Sequence, residues 1–320
     1  MDKKHNIIFL LAAASIFATL CGCKDSFDLD TLQNPPKLVV YCFPSDADTT
    51  YISVTNSVGV KKFTDTRKIA NLADARVSYT VNGESREVKP LDNGMFYVVG
   101  SHAPGDAVDI RVEHDDFAPV TAQTTVPLPA AVELKSVRTV REYDSYWMET
   151  REFHQLLATF TDPAATADYY AVRVLLKGFD ISGDSATVWP KVETLDEPLL
   201  HGISDIDEDF GYENNFYGDL CIFSDQDING QTYTLHLDIE TKAGLPDYKL
   251  DWQYQVVLFK ISPEYYRFLK SINDVENNEL AQGGFAQLTP TFTNIHSGAG
   301  VLGAYTRAFS TWCRLQNENR

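Results

Sequence analysis

Three stretches place chemically capable residues at spacings that chemistry uses. Asp225-Gln226-Asp227-Ile228-Asn229-Gly230 sets oxygen-bearing side chains at positions one, three and five, with Gly at six, as the first half of a calcium loop does. The twelfth position, which should be a bidentate Glu, is His236, and Thr232–Ile239 alternates like a strand where a helix should follow. A hairpin turn carrying solvated Asp residues is the expectation. Residues 201–219 hold Asp205, Asp207, Glu208, Asp209, Glu213 and Asp219. The Gly of a calcium loop would there fall on Phe210, so the stretch reads as a solvated acidic loop. Ser297-Gly298-Ala299-Gly300-Val301-Leu302-Gly303 contains Gly-x-Gly-x-x-Gly, but only 17 residues follow Gly303. A dinucleotide site needs a strand before, a helix after and an acid about 20 residues on. A glycine-rich loop before the last strand is expected instead.

Signatures of other chemistries do not occur. The chain has no Gly-x-Ser-x-Gly, no His-Glu-x-x-His and no phosphate-binding loop, and its seven His residues share no helical ligand spacing. No catalytic residue, metal or cofactor is expected. Aromatic residues in polar surroundings point to binding. Tyr143, Tyr146 and Trp147 lie among Asp144, Ser145 and Glu149, and Phe216 and Tyr217 close the acidic stretch. The expected contact surface for a partner or ligand is therefore Tyr143, Tyr146 and Trp147 together with Asp205, Asp207, Asp209, Phe216 and Tyr217.

One cysteine carries a covalent role. Lys3 and Lys4 precede an apolar run from Ile7 to Leu20, and Leu20-Cys21-Gly22-Cys23 ends it. This is the pattern a bacterial lipoprotein signal peptidase reads. Residues 1–22 are expected to be the signal peptide, and Cys23 the lipidated first residue of the mature chain. Several acyl chains, each buried CH2 contributing about 0.8 kcal/mol, make such an anchor effectively permanent. Lys24-Asp25-Ser26-Phe27-Asp28-Leu29-Asp30 adds a lysine and spaced acids, like a signal for export to the cell surface. Cys42, Cys221 and Cys313 remain, and three cannot all pair.

Composition narrows the partners. Removing residues 1–22 takes away two Lys and one Asp, which moves the net charge from −18 to −19. Such a chain is an improbable partner for nucleic acid, whose backbone needs a basic surface.

The elements that must position these residues are mostly strands. After a polar tether over 23–35 come Leu38–Phe43, 51–58, 76–81, 95–99, 107–112 and 120–126, with Asn82-Gly83, Asp92-Asn93-Gly94 and Pro104-Gly105 as turns. Val126-Pro127-Leu128-Pro129 reads as a stiff joint. Strands resume at 132–140, 155–161, 169–176, 220–223, 232–239 and 254–261, with a weakly patterned insertion over 178–218. Ser262-Pro263-Glu264 opens one helix, about 263–276: a cap, a first-turn proline and an acid at the positive end of the dipole. The expected fold is mainly β. It comprises two immunoglobulin- or fibronectin-III-like antiparallel sandwiches, over 36–127 and 128–320, the second with the insertion and the helix.

The order of short motifs resembles a known family. Pro36–Val40, Ala75-Arg76-Val77, Thr125-Val126-Pro127, Phe160-Thr161-Asp162-Pro163, Asp168-Tyr169-Tyr170, Phe223-Ser224-Asp225 with Asn229-Gly230, Ile261–Tyr266 and Thr293-Asn294-Ile295 follow one another. Together they resemble the Bacteroidota lipoprotein family known as domain of unknown function 4249, over about residues 23–312. The resemblance supplies no catalytic residues. It implies, by gene association, a role beside TonB-dependent outer-membrane transporters. The expected function is a non-enzymatic lipoprotein of the outer membrane, facing the cell exterior, that captures a ligand for such a transporter or partners it in nutrient uptake. An adhesin or fimbria-like structural lipoprotein is the alternative, and a surface glycan hydrolase is less favoured.

Overall fold

Alternation and tight turns shape the first half of the chain. The computed structural model describes residues 35–58, 71–144, 148–179, 183–193, 197–201, 221–241, 251–276 and 290–316. Its first strands are β1 (Leu38–Cys42), β2 (Thr49–Asn56), β3 (Arg76–Val81), β4 (Glu84–Arg86), β5 (Val88–Pro90), β6 (Phe96–Val99), β7 (Ala107–His114) and β8 (Phe117–Thr125). The β3–β4 hairpin turns on Asn82 and Gly83, with φ of 54° and 83°, as an Asn-Gly turn demands. One sheet runs β1–β2–β6–β5 and a second β4–β3–β7–β8. Their inward residues, among them Leu38, Val40, Ile52, Val54, Tyr79, Val98, Ile110 and Val112, form one core. Buried His102 spans that core as a neutral ring. Its Nδ1 donates to the Ser45 carbonyl at 3.1 Å, so its Nε2 accepts from the Tyr79 hydroxyl at 2.7 Å. Burial holds its pKa below the usual histidine value.

The second half repeats the scheme with longer strands. These are β9 (Val132–Asp144), β10 (Glu149–Thr161), β11 (Tyr169–Phe179), β12 (Ser185–Val188), β13 (Cys221–Ser224), β14 (Thr232–Glu240) and β15 (Asp251–Ile261). After the helix Pro263–Glu276 come β16 (Ala299–Leu302), β17 (Tyr305–Phe309) and β18 (Cys313–Arg314). A three-stranded sheet, β14–β10–β9, shares a core with a larger sheet, β12–β11–β15–β17, to which β13 and β18 add. The protein is thus mainly β with antiparallel sheets, as the sequence pattern implies. The expected helix is present at its expected place, with the Ser262 hydroxyl accepting from the Tyr265 N–H at 3.3 Å. The 178–218 insertion contributes β12 and a short helix, Pro198–His201. The thiols of Cys42, Cys221 and Cys313 are not joined by disulfides.

One strand departs from the expected pattern. The glycine-rich segment is not a loop: Ala299–Leu302 pairs in parallel with β1, Gly300 opposite Val40. A strand from the segment expected to form the second domain therefore completes the first sheet. The described residues within 37–57 and 71–316 accordingly pack as one compact unit. A third core lies where the sheets meet. There Phe43 and Val301 join Ala171, Val257, Phe259 and Ile261, with Tyr265, Phe268 and Leu269 of the long helix between them.

The glycines explain themselves by close approach. A Cβ on Gly300 would lie 2.1 Å from the Val40 carbonyl oxygen, and one on Gly303 2.6 Å from the Tyr265 Cβ. Gly300→Ala should therefore cost about 2–4 kcal/mol in urea unfolding, from forced backbone displacement plus strain at a φ of 94°. Gly83→Ala has the same φ problem but open space around it. It should cost only about 1–2 kcal/mol.

Candidate functional site

The alternation of β15 creates the most unusual site. Tyr254, Val256 and Leu258 point into the sandwich core, and the same parity carries Lys260 inward. Lys260 is only 5% exposed, so its ammonium requires a counter-ion. Asp168, at the mouth of β11, supplies it: Nζ lies 2.8 Å from Oδ2. Lys260 also sits over the Tyr170 ring, 5.7 Å from its centre.

Two further buried carboxylates complete the group. Asp162, Asp168 and Asp225 each bring an oxygen within 4.8 Å of the others. Asp162 follows β10 and accepts from the Tyr170 hydroxyl at 2.6 Å and from the Gly230 N–H at 2.9 Å. Asp225 follows β13. Its Oδ2 accepts from the Asp168 N–H at 2.9 Å, and its own N–H donates to the Asp168 carbonyl at 3.0 Å. Thr166 donates to Asp168 Oδ2 at 2.9 Å. Burial, then the bond to Asp162 and its charge, raise the Tyr170 pKa, so the phenol stays a donor. Gly230 has a φ of 72°, and a Cβ there would meet Ala164 at 2.7 Å.

Calcium is a poor match to this geometry. It takes six to eight oxygens, and here protein donors already occupy four of the six carboxylate oxygens. The Lys260 ammonium holds the cation's place. The cluster neutralises buried charge and ties together the ends of β10, β11, β13 and β15. Asp225, expected to be solvated in a hairpin turn, is buried in it instead, whereas Asp227 and Asn229 of the same turn face solvent. His236 lies on β14, a strand as its alternation implies.

A second buried acid covers a sheet edge. Glu197, with no exposed surface, accepts from the His236 N–H at 2.7 Å, the Tyr233 hydroxyl at 2.7 Å and the Leu199 N–H at 3.1 Å. The Glu193 N–H donates to the Asp238 carbonyl at 2.8 Å. Residues 193 and 197 thus satisfy β14 along the side away from β10.

Of the expected contact residues, the structure describes one. Tyr143 stands near the tip of the β9–β10 hairpin, 66% exposed, and Met148 beside it is 78% exposed with a φ of 53°. Asp144 pairs with Glu149 at the end of the ladder. The base of this arm is clamped. Arg151 reaches both oxygens of Glu240 on β14 at 3.1 Å and covers the Phe153 ring at 5.2 Å. Tyr146, Trp147, Asp205, Asp207, Asp209, Phe216, Tyr217 and the anchoring Cys23 lie outside the described residues.

In the sequence Asp225 is legible as the first position of a half-matched calcium loop, Asp162 and Asp168 only as motif letters, and Lys260 through no motif at all. The signal was there: a lysine at an inward position of an otherwise apolar strand must find an acid. A family model described as Domain of unknown function (DUF4249) matches residues 24–310. No curated protein matches the chain. The motifs Phe160–Pro163, Asp168–Tyr170, Phe223–Asp225, Asn229-Gly230 and Ile261–Tyr266 all meet at or beside the aspartate–lysine cluster.

Lys260→Met should lower stability by about 3–5 kcal/mol in urea unfolding, because it leaves a buried acid group without its counter-ion. Lys260→Met with Asp168→Asn should lose less than the two single losses together, by about 1 kcal/mol or more. Millimolar calcium should leave the wild-type midpoint unmoved.

Proposed function

Because the chain belongs to the family described as a domain of unknown function, we propose that it is a non-enzymatic lipoprotein of the outer membrane. In this reading it is held at the cell surface through Cys23 and acts as a ligand-capture or partner protein of a TonB-dependent transporter. The observation that carries the reading is the β9–β10 arm, which presents Tyr143 and Met148 to solvent on a base fixed by Arg151. Large side chains held out on a hairpin clamped at its base resemble the anchors of a docking surface. The lipobox supports the address. Fourteen residues, 24–37, separate Cys23 from β1 and allow the β body to stand at most about 50 Å from its anchor. For the adhesin alternative, strand donation needs an open sheet edge. The hold of residues 193 and 197 on β14 weighs against that edge.

Affinity capture from intact outer membranes tests the proposal. The tagged wild-type protein should recover a TonB-dependent transporter. Tyr143→Ala with Met148→Ser should reduce recovery about tenfold, the loss expected of an interface anchor. Cys23→Ser should leave the membrane fraction altogether. Capture of no transporter by the wild-type protein would overturn the partner claim.

A further inference from the structure

The outer face of the large sheet is divided in two. The long helix covers the half around Ala171, Val257, Phe259 and Ile261. On the other half, outward positions align across four strands. Arg173 of β11 and Phe309 of β17 lie on either side of Val257, which is fully buried and marks the edge of the covered half. Trp189, just past β12, lies on the far side of Arg173, whose guanidinium sits 4.4 Å from the ring centre. Two outward rows on, past the Leu175–Gln255 pair, Lys177 pairs with Gln253 and Gln253 with Arg314 of β18. Lys177 lies 5.0 Å from the Phe179 ring, and Arg307, bonded to Asp46 at 3.0 Å, lies 5.8 Å from the Phe309 ring. Trp189 and Phe309 are each about half exposed, at 49% and 50%.

This face has the wrong sign for its molecule. The chain carries 45 acids in 320 residues, yet β11, β12, β15, β17 and β18 contain one, Asp251, at the start of β15. Cations interleaved with half-exposed aromatic rings suit a ligand with both negative charge and apolar faces. Size decides which. Four strands at about 4.8 Å spacing and four to five residues at about 3.3 Å rise define a patch on the order of 300 Å². A stable protein partner needs about 800 Å² from each side. A short sugar chain needs no more than the patch offers.

The geometry points to an anionic oligosaccharide, carrying carboxylate or sulfate groups, bound across Trp189, Arg173, Lys177, Phe309 and Arg314. Its sugar faces stack on the two exposed rings, and its acid groups meet the three cations. This rests on the ligand-capture reading above and names the class of ligand.

Native affinity electrophoresis of the full-length protein in detergent tests it. At 0.15 M salt the Debye length is about 8 Å, so the distant acidic surface is screened from the patch. Gels containing polygalacturonate or chondroitin sulfate should retard the protein, and the stronger of the two identifies the acid group. Dextran, a neutral chain, should not. Trp189→Ala and Lys177→Glu, tested separately and each shown to keep the wild-type unfolding midpoint, should bind at least tenfold more weakly. Tyr51→Ala, at an exposed aromatic on another sheet, should bind as wild type. No retardation by either polyanion, equal retardation by dextran, stronger retardation by polyglutamate, or unchanged binding in both variants would overturn the proposal. Transporter capture is measured without added glycan, so either proposal can fail without the other.

Discussion

A lysine on the core side of a strand sets the terms for much of this fold. Lys260 follows Tyr254, Val256 and Leu258 inward, and an ammonium there is tolerable only beside a carboxylate. Asp168 meets it, Asp225 is bound to the Asp168 backbone, and Asp162 is bound to Tyr170 and the Gly230 turn. Four strand ends, far apart in sequence, are thereby fixed relative to one another. Two residues after Lys260 the chain enters its long helix. Ser262, fully buried, caps that helix and also bonds both the N–H and the carbonyl of Ala304. The charge lock, the helix start and the entry to β17 thus lie within a few residues of one another.

From there the helix fills the gap between the sheets. Its apolar side, Tyr265, Phe268 and Leu269, packs on the large sheet and on Phe43 and Val301 of the first one. The chain then reaches β1 through a strand whose glycines let two backbones come close. A glycine-rich motif with the spacing of a dinucleotide site is used here for packing. Among the described residues the consequence for function is one β body with a clamped hairpin at one place and a cationic, aromatic sheet face at another.

What the sequence disclosed depends on how local the signal was. Asn82-Gly83 and Ser262-Pro263-Glu264 are decided by a few neighbouring residues, and both elements stand where the residues place them. Strand β16 is four residues without alternation, and its partner lies some 260 positions earlier, so no window along the chain reveals it. The aspartate cluster was visible as three separate motifs. Their meeting depends on strand pairing between β10, β11, β13 and β15 that composition does not encode. The cationic face is hidden from the sequence for the same reason: only strand pairing on either side of β15 brings Arg173, Phe309 and Arg314 to one face.

The central claim is that this body is held by lipid outside the cell, where a surface partner and a ligand can reach it. Protease treatment of intact cells tests that most directly. The account predicts that the protein is digested while a periplasmic marker in the same cells stays whole. Protection of the protein until the outer membrane is broken would contradict it.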